Sequence, residues 1–223
     1  MKKNKLTLSK RKEITTSTRT VMSLAINGAD IYFYDDQGGY GKTTTDLNTI
    51  TWYKVDNLVE RRIVVDSSGN NYISGRAQPG PINNTNRDFY LKKHNSSGTN
   101  QWQRFFGSSG TNFFGESCSL LGDGNIVQVG SSDVSNYLSL FTVVYNSSGT
   151  LQASKTLTRT NTIISGGQGG VAPFSSSGFV VGSPLAGTTY NNLVSKHDAD
   201  GDLVWAIETG TSSENLSNGL LCV

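Results

Sequence analysis

The pentapeptide Asn-Ser-Ser-Gly-Thr occurs at residues 95–99 and again at 146–150, 51 residues later. Its flanks match as well: "FYLKKHNSSGTNQWQR" (89–104) lies over "FTVVYNSSGTLQASK" (141–155). A third copy, "NLVSKHDADGDLVWAI" (192–207), follows 52 residues further on, with Trp205 where Trp102 fell and Ala153 at that position in the middle copy. A repeat of about 50 residues means one structural unit used several times, because each unit needs its neighbours to bury its apolar faces.

A second anchor lies between the pentapeptides. "IVVDSSGNNYISG" (63–75) matches "SLLGDGNIVQVG" (119–130); "FSSSGFVVGS" (174–183) and "SLAINGADIYFYD" (23–35) are worn copies. Each unit reads as four short strands. In 117–156 these are "SCSLL", "NIVQVG", "LSLFTVVY" and "TLQASKT", with turns at "GDG" and "NSSG" and a longer loop, "SSDVSNY", between second and third. Alternation with β-branched and aromatic residues supports the strands. Glycine supplies φ > 0 in the turns, and Asn or Asp can bond the local backbone. The pentapeptide is therefore expected to be the turn between third and fourth strands, with Trp102 and Trp205 entering the fourth strand as core anchors.

Composition agrees. The chain is rich in Gly, Ser, Thr and Asn, only 16% charged, and has no long stretch of helical apolar spacing; this suits an all-β protein with many tight turns. No apolar run approaches the roughly 20 residues of a spanning helix. Of 19 basic and 17 acidic residues, seven basic and one acidic lie in 1–20, leaving 12 against 16 in the remainder. Lys2, Lys3, Lys5, Lys10, Arg11 and Lys12 thus form a basic arm on a mildly acidic body. Such an arm can dock on an acidic partner surface; a solvated tail is the plain alternative. Nucleic acid is not the expected partner, since no aromatic residue interleaves with the charges. "LTLSKRKE" interrupts any signal-peptide core with charge. Cys118 and Cys222 both sit in strand-like runs and read as buried free thiols rather than a disulfide framework.

The run "DSSGNNYISG…DFYLKKHNSSGTNQWQRFFGSSG" closely resembles the bacterial seven-bladed β-propeller repeat: D-x-x-G-N-x-Y-x-x-G, then D-x-x-x-x-K, S-S-G-x-x-x-W and a Gly-rich link. The resemblance covers residues 58–210 well and 21–57 poorly. It implies a β-propeller-like array of about four four-stranded antiparallel blades (21–57, 58–108, 112–158, 162–209), following the arm of 1–20. One extra strand follows at 214–223, where Glu214 stands over Glu116. Four blades are too few for a seven-bladed ring, so the array is expected to close as a smaller ring, to share blades with a partner chain, or to belong to a longer protein. Repeats of this kind occur in large secreted bacterial proteins and in virion proteins of tailed phages. The Asn/Ser/Thr-rich style without an export signal fits the phage setting better.

Few motifs point to chemistry. Gly41-Lys42-Thr43 invites a phosphate-loop reading, but Asp36 stands where the loop needs glycine and a strand-like run follows. Asp198, Asp200 and Asp202 alternate as Ca²⁺ ligands can, yet the sister turns hold no carboxylate and no glutamate closes the loop. A plain turn without metal is the expectation, as is the absence of any other cofactor. His94 and His197 match by repeat register, which explains them without a shared metal. No catalytic grouping is recognised, so the expectation is a protein that is not an enzyme.

The loops between second and third strands differ from one another while the tight turns repeat. "DDQGGYGKTTT" (35–45), "RAQPGPINNTNR" (76–87), "SSDVSNYL" (131–138) and "SPLAGTTYNN" (183–192) would share one rim. Variable loops on a fixed scaffold are where recognition sits. Tyr40, Arg76, Asn83, Asn84, Arg87, Asn136, Tyr137, Tyr190 and Asn191 are the candidate binding face, suited to a host-surface glycan or protein. The function expected is that of a non-enzymatic virion protein of a tailed phage in the tail, baseplate or capsid decoration, bound to other virion proteins or copies of itself. A bacterial surface or secreted adhesin or lectin is the alternative.

Overall fold

The computed structural model describes residues 20–47, 49–55, 59–77, 87–108, 110–134, 137–158, 163–164, 170–174, 178–186 and 191–209. Among these there is no helix. They form four antiparallel sheets, of which the first three are four-stranded meanders in chain order. The first sheet is β1 (Val21–Asn27), β2 (Asp30–Asp35), β3 (Gly39–Thr44) and β4 (Ile50–Val55). The second is β5 (Val59–Val65), β6 (Asn71–Ala77), β7 (Asp88–His94) and β8 (Asn100–Phe106). The third is β9 (Phe113–Leu120), β10 (Ile126–Val134), β11 (Tyr137–Tyr145) and β12 (Leu151–Leu157). In the fourth, β13 (Ile163–Ile164) and β14 (Gly170–Pro173) both pair with β15 (Phe179–Ala186), followed by β16 (Asn191–His197) and β17 (Leu203–Thr209).

The pentapeptide turns are built by one device. Asn95 Oδ1 accepts the N–H of Ser97 at 3.1 Å and of Thr99 at 2.8 Å. Asn146 does the same for Ser148 and Thr150 at 3.1 and 2.9 Å, and Asp198 for Asp200 and Asp202 at 3.1 and 2.8 Å. Gly98, Gly149 and Gly201 take φ of 78°, 80° and 81°, the left-handed region closed to most side chains. In all four sheets a bulge then shifts the register just before the turn, at Lys42/Thr43, Lys93/His94, Val144/Tyr145 and Lys196/His197.

Successive sheets pack face to face through three core clusters. Tyr32, Tyr34 and Tyr40 meet Ile63 and Ile73 between the first and second. Tyr72, Phe89 and Leu91 meet Cys118, Ile126, Phe141, Val143 and Tyr145 between the second and third. Val127, Val129, Leu140 and Val144 meet Val171, Phe179, Val181, Leu185 and Leu193 between the third and fourth. Burying one large apolar side chain contributes about 1.5–3 kcal/mol, so these layers supply the main drive for stacking. Opening strands also neighbour one another in succession, β1 with β5, β5 with β9 and β9 with β14.

Three expected loops are largely strand; in 183–192, β15 holds 183–186 and β16 holds 191–192. Residues 39–44, within the expected loop 35–45, form β3. Its glycines are there for close approach: a Cβ on Gly41 would lie 2.6 Å from the Trp52 carbonyl oxygen. In the third sheet β10 runs on through Ser131, Ser132 and Asp133 to Val134. Ser131 and Ser132 are buried there.

Candidate functional site

A tryptophan device ties one sheet to the next. Strand pairing puts Trp52, Trp102 and Trp205 opposite Lys42, Lys93 and Lys196, while Ala153 stands opposite Val144. Trp102 reaches across to the next sheet's turn, where its Nε1–H donates to the Ser147 carbonyl at 3.1 Å. Lys93 Nζ donates to the same carbonyl at 3.1 Å, and Arg104 Nε to the Gly149 carbonyl at 2.7 Å. Trp52 repeats the arrangement one sheet earlier, donating to the Ser96 carbonyl at 3.3 Å, with Lys54 Nζ on the Gly98 carbonyl. The turn glycine is required because the indole lies on it: a Cβ at Gly98 would sit 2.7 Å from the Trp52 ring, and one at Gly149 2.8 Å from Trp102.

Trp52 escaped the sequence reading because its turn has a different form. Leu47 holds the left-handed position there, at φ 56°. The usable signal was the spacing Thr-x-x-Trp, shared by Thr49–Trp52 and Thr99–Trp102.

Among the described residues no turn covers the last tryptophan. Trp205 is 39% exposed rather than a core anchor. Its face also carries Ile207, 56% exposed, and the whole of β17 is exposed. At the other end, strand pairing places Leu24, Ile26, Ile50 and Tyr53 on the face of the first sheet turned away from the second. These four are exposed, Ile26 at 64%. Both terminal faces of the described stack thus carry exposed apolar side chains.

The candidate rim is brought together in part. Arg76, at the end of β6, and Arg87, just before β7, converge on the Phe114 ring, their guanidinium carbons 6.0 and 4.9 Å from its centroid. The Arg87 N–H donates to Asn112 Oδ1 at 3.1 Å, and Asn112 Nδ2 to Asp133 Oδ2 at 2.7 Å. Phe114, Asn112 and Asp133 are thus neighbours the sequence did not single out. Tyr40 departs from expectation: it is 6% exposed, within β3, facing the second sheet. Its ring carries Lys92 Nζ at 3.8 Å, and its hydroxyl lies 3.3 Å from His94 Nε2. Tyr137 and Asn191 open β11 and β16. Asn83, Asn84, Asn136, Tyr190, the arm residues Lys2, Lys3, Lys5, Lys10, Arg11 and Lys12, Cys222 and the extra strand at 214–223 lie outside the described residues.

The polar candidates have structural partners. Asp198 caps its own turn, and Asp202 pairs with Lys155 at 2.6 Å. Among the described residues no three His, Cys, Asp or Glu side chains are grouped to hold a metal. His197 stacks on Phe179 with ring centroids 5.1 Å apart, donates Nδ1–H to the Gly201 carbonyl at 3.0 Å, and receives the Ser195 hydroxyl at Nε2. Burial lowers its pKa. His94 is held at about 3, by burial and then by the Lys92 and Lys54 charges. Burial pushes the Cys118 thiol up to about 11, which disfavours the reactive thiolate.

No protein-family model matches the chain, and no curated protein matches it. Among solved structures it is similar to a protein of unknown function from Bacteroides caccae, at 10% identity and a TM-score of 0.47 over 87% of this chain and 83% of that one. A likeness of that degree carries neither fold nor function across.

Proposed function

We propose that the four sheets are blades of a β-propeller-like array and that the chain is a non-enzymatic structural protein whose end faces and loop rim are for assembly. The observation carrying this reading is the contrast between three filled sheet interfaces and two end faces that expose apolar side chains, Ile26 and Ile207 among them. Apolar faces of this kind belong against another surface. The succession of opening strands β1, β5, β9 and β14 as neighbours supports blades arranged about a common axis. The repeat's resemblance to those of tailed-phage proteins, with the basic arm, favours a virion component of the tail, baseplate or capsid decoration. The rim around Arg76 and Arg87 would be the host-facing or partner-facing surface, with no cofactor taking part.

Native mass by light scattering tests the assembly reading. A discrete oligomer, or stoichiometric capture of a virion protein that fails once residues 1–20 are removed, is the expected result. A monomer that the truncation leaves equally able to join virions would overturn it. Binding to bacterial surface glycans without any virion partner would favour the adhesin alternative.

A further inference from the structure

The tryptophan device has a direction. Trp52 in the first sheet covers the turn of the second, and Trp102 in the second covers the turn of the third. A sheet thus extends its indole to the sheet after it and presents its own turn to the sheet before it. The third sheet extends none, because Ala153 stands at the tryptophan position. The fourth restores that half. Trp205 lies opposite Lys196 as Trp102 lies opposite Lys93, with the same register shift beside it. Trp205 is 39% exposed, and Ile207 on the same face is 56% exposed.

The first sheet lacks the receiving half. Its β3–β4 turn places Leu47 where the later turns place glycine: the Leu47 N–H donates to the Thr44 carbonyl at 2.9 Å, as Gly98 does to Asn95 and Gly149 to Asn146. Leu47 holds φ 56°. A Cβ at that position of the later turns would come within 2.7 and 2.8 Å of the indoles that cover them, so something would have to shift. Leu47 carries such a Cβ and the rest of a leucine side chain. A tryptophan from a preceding sheet is therefore kept off this turn.

We propose that the β17 face is a docking site for a β-sheet of another chain that presents an Asx-x-x-Gly turn, and that Leu47 bars the first sheet of a second copy from that role. The inference rests on the assembly reading above and adds a polarity to it. Head-to-tail contact between identical chains would otherwise run on as an open filament unless it closed into a ring. The two filled interfaces specify the partner. Trp205 needs a left-handed glycine under its ring and, for its N–H, the carbonyl two residues earlier. Lys54 and Arg104, two residues beyond the earlier tryptophans, donate to the carbonyl of the covered glycine. Ile207 stands at that place in β17, so the partner's turn should meet it with an apolar side chain.

The test supplies the missing half from this chain itself. In the acceptor variant, residues 44–49 are replaced by Asn-Ser-Ser-Gly-Thr, and Trp205→Ala removes its own donor. Mixed with the unaltered chain, it is expected to form a one-to-one complex by light scattering, with blue-shifted tryptophan emission. Trp205→Ala in the unaltered chain should weaken that complex at least about tenfold. Leu47→Gly combined with Trp205→Ala is the milder acceptor, should the replaced turn disturb the circular dichroism. A folded acceptor that forms no complex overturns the proposal, as does a complex indifferent to Trp205, or equal binding to a Trp205→Ala chain that keeps Leu47. A tail-to-tail pair of unaltered chains that shuts the acceptor out assigns the face to a second copy and overturns it too. Failure of the assembly reading looks different: the unaltered chain is then monomeric and joins no virion, yet still binds the acceptor.

Discussion

Trp102 donates its indole N–H to the Ser147 carbonyl at 3.1 Å while its ring covers Gly149. One residue thereby joins a fourth strand to the next sheet's pentapeptide turn and explains why both motifs recur at a common interval. Trp102→Ala should cost about 3 kcal/mol, at the low end for a large aromatic because the ring is half-buried. Trp205→Ala, at the open end, should stay within about 0.5 kcal/mol in the separated chain, and its effect should appear in native mass instead. Urea unfolding of both variants, with light scattering of the second, checks the contrast.

The turn glycines divide by what lies over them. Gly98→Ala meets both the left-handed φ and the Trp52 ring, whereas Gly124→Ala, at φ 84°, meets nothing within 4 Å. Gly124→Ala should cost about 1 kcal/mol of stability through backbone strain alone. Gly98→Ala should lose at least about 1 kcal/mol more, because the indole must shift. Thermal unfolding of the pair measures the difference.

Stability should fall on mild acidification. His94 titrates near 3 in the folded chain, against an ordinary value of 6.5. The unfolded chain therefore binds the extra proton between those values, and stability rises with pH across that window. The full contribution is present above about pH 6.5 and is lost progressively towards pH 3, at no more than about 1.4 kcal/mol per pH unit. His197, also lowered by burial, adds in the same sense. His94→Tyr, the residue at the matching position of the third sheet (Tyr145), should flatten the slope of urea midpoints between pH 7 and 4 without removing it.

Cys118 should resist alkylation in the native state, since its thiol is buried and its pKa is raised to about 11. Peptide mapping after iodoacetamide treatment should find the 118 site modified only once denaturant unfolds the third sheet. Rapid native labelling would show that the interface with the second sheet opens locally.

Much of the architecture was legible because its signals are local. An Asn or Asp that bonds its own backbone two and four residues on, followed by a left-handed glycine, makes a turn wherever it is written. The rim was legible only in part. Arg76 and Arg87 were singled out, but Phe114, on which they meet, lies in the next repeat. Tyr40 was misplaced because Gly39 and Gly41 read as loop, while their absent side chains serve packing against Tyr53 and Trp52.

The amino-acid sequence by itself determined the four-strand repeat, its turns and its antiparallel order, since each depends on residues a few positions apart. Only the tertiary structure decided which apolar face finds a neighbour. Successive side chains of a strand point to opposite faces, but which face is covered depends on a distant part of the chain: the third sheet's turn, 45 residues on, covers Trp102, whereas Trp205 in β17 is exposed.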